Sequence, residues 1–495
     1  MGKKIVLILM DSFMPHVLQE ARQAQLVPTL SALMERGAYW DNCVSAFPTM
    51  SANVDASLST GAYSEVHGIP GLVWYSRTEK RVVNYINGNK SVLRVGIKKC
   101  AKDVLVELNE KHLSKNTSTL FEELAQRGKT SASINFSSHR GPRVYRTKKP
   151  GLSAIFLAGL PIYQVTGPEI CTIGRFIDSS FLRSLPWNGS HTIFYKYGLN
   201  DSFAIRAFSR LVRQKKLPQV SVIYLPDMDY SYHRKPDQGP QILAKVDRHI
   251  SRLLESFGGI EAACKECRFI LVGDHGQTKI GVEIEATINV EQLLQGMKIA
   301  RMEQVKPEED DLVICNNERA CYFYPLQQSV QAEVVKRLLE EPRIDVLAWK
   351  EKEGVRLGHG KQTLFFALGR DMRDEFGKTW KIEGDLSLID AVAREHPEDS
   401  VPVIFFGKYP DILSRLYGAL YAQKGEMIVA TAEPGCEFFT QSDPVHRGGA
   451  SHGSLHETDS LISLIITDES VARFKKPRIV DLKSYILQEI CNIES

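Results

Sequence analysis

The chain has 495 residues, of which 43% are hydrophobic and 24% are charged, as is usual for a globular protein. Its 62 basic and 59 acidic side chains leave a formal net charge of +3, which excludes the basic excess of a nucleic-acid-binding protein. No stretch reaches the roughly 18 consecutive apolar residues of a membrane span. We therefore predict neither a membrane span nor binding to a nucleic-acid polymer.

Cysteine usage indicates a reducing compartment. The nine cysteines are an odd number and are scattered along the chain, which favours free thiols over a disulfide framework. The first apolar run ends at Asp11 and is too short for a signal peptide, so we predict a cytoplasmic location. Cys264 and Cys267 form a single CxxC pair, which alone is a weak indication of zinc or redox chemistry.

Three predicted strands are continuously apolar and lead directly to acidic residues. In chain order, Lys4–Met10 ends at Asp11, Val220–Leu225 leads to Asp229, and the strand over 268–273 ends at Asp274. Helices are predicted between them over 28–36, 51–60, 118–127 and 241–257, and further strands over 130–136, 401–406 and 460–467. This alternation predicts a doubly wound α/β domain, with a mostly parallel sheet and helices on both faces.

Two regions interrupt the alternation, and we interpret them as insertions. The core is predicted to comprise residues 1–75, 200–295 and 401–475. Residues 76–200 are expected to form partly core and partly substrate-entrance elements, 296–400 a small α+β cap, and 476–495 a C-terminal helix. Arg140 begins a basic stretch over 140–149 that is a candidate anion contact at the entrance, with a solvated surface run as the alternative.

The strand ends carry residue types that bind metal ions. Ligands of open α/β sheets collect at the carboxyl ends of the strands. Asp229 and His233 are four residues apart, Asp274 and His275 are adjacent, and His452 lies in a glycine-containing loop. Mixed carboxylate and imidazole ligands suit zinc, with manganese or iron as alternatives.

A candidate nucleophile, Ser51, begins the predicted helix over 51–60, which ends at Gly61. A hydroxyl at a helix N-terminus lies where backbone N–H groups and the helix dipole favour negative charge. This position suits both a phosphate group and a developing alkoxide, whereas a lone serine there would serve only as a helix cap.

The ordered motifs FPTMSANVDASLSTGAYSEVHGI, DYSYH, GDHG and ASHG resemble the nucleotide pyrophosphatase/phosphodiesterase branch of the alkaline phosphatase superfamily. The resemblance covers about 1–75, 200–295 and 430–467. It implies a two-metal phosphohydrolase that forms a phosphoseryl intermediate on Ser51, with Thr49 as the fallback nucleophile. It also implies that one ion is bound by Asp229, His233 and His452. The second ion would be bound by Asp11, Asp274, His275 and Ser51.

Departures from the family pattern affect substrate recognition. The Pro-Asn-His that follows the nucleophile is replaced by Asn53-Val54-Asp55, and an Asn that contacts a phosphoryl oxygen is replaced by Leu72. Leu72 is therefore a candidate substrate contact. His446, six residues before His452, is a second candidate, with an ordinary loop residue as the alternative. The expected substrate is a small phosphorylated molecule, with a phosphodiester or nucleotide pyrophosphate favoured.

Several alternatives stay open on the sequence alone. A phosphomonoesterase or phosphonate hydrolase of the same superfamily shares the metal ligands. The absence of Arg between residues 36 and 77 argues mildly against a monoester. A catalytically inactive protein that binds a metal or ligand is the alternative from another class. A sulfatase is excluded because Ser51 is not followed by the x-Pro-x-Arg of that enzyme class.

Overall fold

The computed structural model describes residues 2–148, 161–177, 198–327, 329–395, 400–467 and 474–491. Two large sheets organise these residues, a core sheet of seven strands and a second sheet of nine. The strands of the core sheet follow the order Ala38–Val44, Leu461–Ile466, Cys267–Gly273, Lys4–Met10, Val220–Leu225, Ser131–Ile134 and Ile170–Thr172. Leu461–Ile466 runs opposite to the other six strands of this sheet, which confirms the mostly parallel sheet predicted from the sequence.

The central strand Lys4–Met10 shows why its sequence is apolar without alternation. Every second side chain packs with helices Pro15–Gln23 and Gly239–Glu255 on one face of the sheet. The intervening side chains pack with helices Ser51–Thr60 and Asp481–Cys491 on the other face. Because both faces are covered, every position from Ile5 onward is buried.

Helices are present in the described residues at each of the four internal positions predicted, 28–36, 51–60, 118–127 and 241–257, and the structure adds others. Their bounds are Pro15–Gln23, Pro28–Met34, Ser51–Thr60, Ser64–His67, Asn89–Val95, Ile97–Lys102, the π-helix Asp103–His112, Leu120–Gln126, Asp201–Arg213, Asp227–Tyr232, Gly239–Glu255, Ile260–Glu266, Val290–Leu293, Val330–Leu339, Ile412–Tyr421, Glu457–Ser460 and Asp481–Cys491. Short 3-10 turns occupy Pro236–Gln238, Ile284–Ala286 and Leu386–Ile389. No helix in the described parts of the chain is long and apolar enough to cross a membrane.

The second sheet is larger than the small cap predicted for this region. Its strands follow the order Leu312–Asn317, Ala320–Pro325, Ile428–Ala432, Ile344–Lys350, Val355–His359, Gln362–Asp374, Val403–Phe406 and Ala391–Arg394, and Thr379–Gly384 pairs with Gln362–Asp374. All pairs are antiparallel except that of Gln362–Asp374 with Val403–Phe406. Helices Ile412–Tyr421 and Val330–Leu339 cover its two faces.

The predicted return to the core at residue 401 differs from the structure. Val403–Phe406 and Ile428–Ala432 both pair within the second sheet, and the core sheet resumes only at Leu461–Ile466. A short apolar strand has the same sequence pattern in either sheet, so its partner could not be read from the pattern.

Four pairs of short strands connect the larger parts. They are Val73–Ser76 with Arg81–Asn84, Arg143–Arg146 with Gln164–Gly167, Thr278–Lys279 with Ala450–Ser451, and Thr287–Asn289 with Glu437–Phe439. All nine cysteines are free thiols, including Cys264 and Cys267.

Candidate metal centre and active site

Three strands of the core sheet deliver acidic residues to one edge. Lys4–Met10 is parallel to both of its neighbours, and Met10 lies in register with Gly273 on one side and Leu225 on the other. The residues that follow these positions therefore emerge together at the carboxyl edge of the sheet. Among them are Asp11 and Asp274, both buried.

Asp11, Asp274 and His275 form an inner cluster. His275 Nε2 lies 3.3 Å from Asp11 Oδ1 and 3.4 Å from Asp274 Oδ2. These three atoms are buried, and none has a hydrogen-bond partner among the described residues. Leaving such atoms unsatisfied costs about 1–3 kcal/mol each, so their convergence fits a site for a cation.

Asp229, His233 and His452 form an outer cluster beside the first. Asp229 Oδ1 lies 3.3 Å from His233 Nε2 and 3.7 Å from His452 Nε2. The rings of His452 and His275 stack with their centroids 3.7 Å apart, so the two clusters are in direct contact. Asp229 also lies within 4.8 Å of ligand atoms of Asp11 and His275, which places it between the two clusters.

Backbone carbonyl groups orient the three imidazole rings. Nδ1 of His233 donates to the Ala450 carbonyl at 2.6 Å, and Nδ1 of His452 donates to the Thr49 carbonyl at 2.6 Å. Nδ1 of His275 lies 3.1 Å from the Gly276 carbonyl. A proton on Nδ1 leaves Nε2 as the lone-pair atom, which is the arrangement of a histidine that binds a metal ion.

Polar neighbours that the sequence analysis missed hold the carboxylates. Asp229 Oδ1 accepts hydrogen bonds from Gln277 Nε2 at 2.6 Å and from Ser12 Oγ at 3.0 Å. The Ser12 backbone N–H donates to Asp274 Oδ1 at 2.9 Å, and the Tyr224 hydroxyl donates to Asp11. Ser12 and Gln277 lie within three residues of a predicted ligand, which was the available signal.

Close carboxylates make this edge of the sheet strongly favourable for cations. Burial, together with the charges of Asp229 and Asp274, raises the pKa of Asp11 well above its ordinary value. A divalent ion would remove both the desolvation and the repulsion that cause this shift. The donor set of carboxylate oxygens and imidazole nitrogens fits such an ion.

Ser51 begins helix Ser51–Thr60, as predicted, and lines the cavity that also contains Asp229 and His233. Gly61 ends the helix in the left-handed conformation, with a φ of 68°. Thr49 is fully buried, and its hydroxyl accepts from the Gly453 N–H at 2.8 Å. Thr49 therefore holds the loop of His452 in place, while Ser51 faces the cavity.

Asp55 stands where the sequence departs from the family pattern, one helical turn after Ser51. Its Oδ2 accepts from the backbone N–H and the hydroxyl of Ser137 at 3.1 and 2.5 Å. Burial raises the pKa of Asp55 to about 7. Asn53, the other replaced position, is buried and bonds to the Pro48 carbonyl and to Ser64, so it is structural.

Glu318 joins the site from the second sheet, and nothing in the sequence indicated it. It lies at the tip of the hairpin between Leu312–Asn317 and Ala320–Pro325, with a φ of 63°. Its Oε2 lies 3.7 Å from His452 Nε2 and accepts from Ser451 Oγ at 3.0 Å. Burial opposes its ionisation, but the neighbouring histidines prevail and lower its pKa to about 2.

His446 lies beside the outer cluster. Its ring centroid is 4.6 Å from that of His233, and its Nδ1 is 2.9 Å from Glu437 Oε2. Ligand atoms of His446, His233 and Glu318 lie within 4.8 Å of one another. His446 therefore lies beside the outer cluster, and its role as a substrate contact stays a prediction.

A cavity of about 1040 Å³ opens onto the outer cluster, and Leu72 and His446 line it. The Leu72 backbone N–H donates to Asn317 Oδ1 at 2.9 Å. Arg140 is not among the described residues that line the cavity. Its buried guanidinium bonds to Glu122 and to the Leu113 carbonyl, so the structure places it in a structural role, away from an entrance.

The fold and the site together define a phosphohydrolase of the alkaline phosphatase superfamily. The sequence profile of the type I phosphodiesterase/nucleotide pyrophosphatase family matches residues 5–360, and the chain belongs to this family. Enzymes of this family depend on metal ions, and the two clusters contain ligand atoms close enough together to bind such ions.

Solved structures with the same fold include two different enzymes. Murine ectonucleotide pyrophosphatase/phosphodiesterase 5, solved with AMP, superposes with a TM-score of 0.59 at 14% identity, covering 99% of this chain and 96% of that one. Phosphonoacetate hydrolase from Sinorhizobium meliloti 1021, solved with phosphonoacetate, gives a TM-score of 0.59 at 15% identity with the same coverage. No curated protein sequence matches the chain significantly.

Proposed function

We propose that the protein hydrolyses a phosphodiester through a phosphoseryl intermediate on Ser51, with one divalent ion in the inner cluster and one in the outer. The observation that carries the proposal is the shared location of the nucleophile and the ligands. Ser51, Asp229 and His233 line one cavity, and the buried atoms of the inner cluster lie directly behind Asp229. Zinc is the first candidate metal, because the ligands are carboxylates and imidazoles.

The protein's own residues fix the geometry of the reaction. Asp11, Asp274 and His275 would hold the inner ion, and Asp229, His233 and His452 the outer one. When bound, the two ions supply positive charge that favours the Ser51 alkoxide and the departing oxygen. Ser51 Oγ, after losing its proton to solvent, attacks phosphorus and displaces the alkoxide, which takes a proton from water and leaves as the alcohol. Water then cleaves the phosphoseryl bond, which restores the Ser51 hydroxyl and releases a phosphomonoester.

The N-terminal position of Ser51 contributes to the same step. Backbone N–H groups at the start of helix Ser51–Thr60 favour a negative phosphoryl group. Lys483 secures the other end of this helix, since its Nζ donates to the Thr60 carbonyl at 3.0 Å and to the Ser118 carbonyl at 2.7 Å. The nucleophile is therefore held on a rigid element.

The test compares Ser51→Ala with Ser59→Ala on the same helix, using protein loaded with zinc or manganese. With bis(p-nitrophenyl) phosphate as substrate, we expect Ser51→Ala to lower kcat/KM by at least about 10⁴-fold. Ser59 bonds only within the protein, to Ser138 and the Ala56 carbonyl, so Ser59→Ala should change it by no more than about threefold. After the reaction is quenched with acid, mass spectrometry should find a p-nitrophenyl phosphoryl group attached to the peptide that carries Ser51.

Competing activities are separated in the same assay. p-Nitrophenyl phosphate reports a monoesterase and phosphonoacetate reports a phosphonate hydrolase. Two bound metals without turnover of any of these substrates would contradict the proposal and favour an inactive binding protein.

A further inference from the structure

One side of the active-site cavity is an aliphatic wall, defined here by Ile86, Val92, Leu93, Ile97, Val104 and Leu199. Most of these residues lie on helices Asn89–Val95 and Ile97–Lys102 and on the π-helix Asp103–His112. The same cavity contains Ser51 and Asp229, so the wall is continuous with the reaction centre. The cavity has a volume of about 1040 Å³, which is at the upper end for small-molecule sites and far larger than a phosphoryl group.

The wall is incompletely covered by the described parts of the protein. Leu93 is 65% exposed, and Ile86, Val92, Ile97, Val104 and Leu199 are only partly buried. Apolar surface that faces water forgoes about 25 cal/mol per Å² of stabilisation, which a bound apolar group recovers. Several aliphatic side chains placed together beside a catalytic centre therefore indicate a partner for them.

Ile86 shows that the loop beside the wall is held in an unfavourable conformation. Its φ of 68° lies in the left-handed region, which is a genuine outlier for a β-branched residue. Asn84 fixes this loop, because its side chain bonds to the Asn87 carbonyl at 3.0 Å and to the Asn87 N–H at 2.6 Å. Strain of this kind persists where the surrounding structure enforces it, often at ligand sites.

Two polar side chains along the cavity, Asn135 and His139, are already engaged within the protein. Asn135 bonds to the Gly198 carbonyl at 2.9 Å and to the Gly174 N–H at 2.8 Å, which occupies both ends of its amide. His139 Nδ1 bonds to the Thr166 carbonyl at 2.9 Å. These groups are consequently poor candidates for reading the polar edge of a nucleobase.

Two tyrosines of the described lining, Tyr85 and Tyr230, offer little surface for stacking a base. Tyr85 is only 4% exposed and contacts His112. The Arg234 guanidinium covers the face of Tyr230, 3.7 Å from the ring centroid. Tyr85 and this face of Tyr230 are therefore not open to a nucleobase, whereas the aliphatic wall is open to an alkyl chain.

We propose that the aliphatic wall binds a saturated hydrocarbon chain of the substrate, so that the protein acts on phosphate esters of aliphatic alcohols. This inference rests on the proposed function for the phosphoryl end of the substrate. The metal ligands and Ser51 take the phosphoryl group, and the chain extends along the wall from Leu72 toward Leu93. Each methylene buried in this way strengthens binding by up to about fourfold.

The experiment measures binding rather than turnover. Isothermal titration of the metal-loaded full chain with butylphosphonate, octylphosphonate and AMP, below micellar concentrations, gives three dissociation constants. We expect octylphosphonate to bind at least about 30-fold more tightly than butylphosphonate. AMP should bind no more tightly than butylphosphonate.

A matched pair of variants locates the effect. Leu93→Asn should lower the octyl-to-butyl affinity ratio by at least about threefold, because it places an amide in the wall. Leu368→Asn makes the same change at a leucine that is 54% exposed on the second sheet, and it should leave the ratio unchanged.

The outcomes separate this inference from the proposed function. An octyl-to-butyl ratio below about twofold, or AMP binding as tightly as octylphosphonate, would overturn the wall as a chain site even if diesters are hydrolysed. A large ratio that falls in Leu93→Asn, without hydrolysis of bis(p-nitrophenyl) phosphate, would support the wall and contradict the proposed function.

Discussion

The core sheet and the second sheet contribute to the site in different ways. The core sheet delivers Asp11, Asp229 and Asp274 directly from its carboxyl edge. The second sheet contributes through one hairpin tip, where Glu318 reaches the outer cluster. The carboxyl ends of parallel strands lie at one edge of the sheet, so residues that follow them lie close together. In an antiparallel sheet neighbouring strands end at opposite edges, so a residue reaches the site only through a turn that points toward it.

Anchors on every side hold that hairpin tip. Asn317 accepts from the Leu72 and Val73 N–H groups, and the Arg319 N–H donates to the His452 carbonyl at 2.8 Å. The Arg319 guanidinium pairs with Asp459, 2.6 Å away, and both side chains are fully buried. Gly453 is required opposite the tip, since a Cβ there would lie 2.4 Å from the Asn317 carbonyl oxygen.

The largest effect is expected from the core sheet. Asp229→Asn removes the carboxylate that lies between the two clusters, so binding of both ions should weaken. We expect kcat/KM for bis(p-nitrophenyl) phosphate to fall by at least about 10³-fold, or about 4 kcal/mol. Metal analysis after gel filtration should show fewer bound ions, and full retention of both would contradict the placement.

The anchor of the second sheet should matter mainly for stability. Arg319→Met leaves Asp459 buried without its partner, and we expect the free energy of unfolding to fall by about 3 kcal/mol in urea titrations. The double variant Arg319→Met/Asp459→Asn should recover part of this loss, because the uncompensated charge is removed. Equal stability of the wild type and Arg319→Met would show that the tip is held without this pair.

Glu318→Gln tests whether the second sheet reaches the metal. We expect the affinity for the more weakly bound ion to fall by about 10–100-fold, measured by competition with a chelator. Glu341→Gln is the matched control, in the turn before strand Ile344–Lys350, since Glu341 is buried to a similar extent but pairs with Arg343. Identical metal affinity in both variants would mean that Glu318 does not contribute to metal binding and that the core sheet supplies all the ligands.

A smaller effect is expected from a residue that lies between the two sheets. His67 bonds to Ser57 Oγ at 3.0 Å and accepts from the Ile69 N–H, and burial lowers its pKa to about 3. The folded protein keeps this ring neutral, while the unfolded chain takes up a proton below a pH of about 6.5. Stability from this group is therefore complete above that pH and is lost as the pH falls toward 3.

The measurement compares urea unfolding of the wild type and His67→Gln at pH 7.5 and 5.5. The wild type should lose about 1.4 kcal/mol more than the variant over this interval. A parallel loss in the two proteins would mean that His67 is protonated in the folded state.

Sequence reasoning predicted the core sheet because its physical cause is local. Continuous apolar strands that end in Asp, such as Lys4–Met10 before Asp11, predict both a covered sheet and its ligand edge. The helix that begins at Ser51 was also predicted from local signals, among them Gly61, which ends it. These features depend on neighbours a few residues away.

The missed features depend on contacts between distant segments. Glu318 lies in the turn of an ordinary hairpin, and only folding brings it to His452. The basic stretch predicted Arg140 either as an anion contact at the entrance or on a solvated surface, but its guanidinium is buried and bonds to Glu122 and backbone carbonyls. Charge runs indicate exposure on average and do not reveal a buried partner.

Strand Leu461–Ile466 has a consequence for the order in which the chain assembles. It inserts between Cys267–Gly273 and Ala38–Val44, so those two strands, made early, have no direct pairing with each other in the core sheet. During synthesis the edge of Cys267–Gly273 stays open while the whole second sheet is made. Such an edge can pair with other chains, so late-stage ribosomal intermediates are the species most exposed to aggregation.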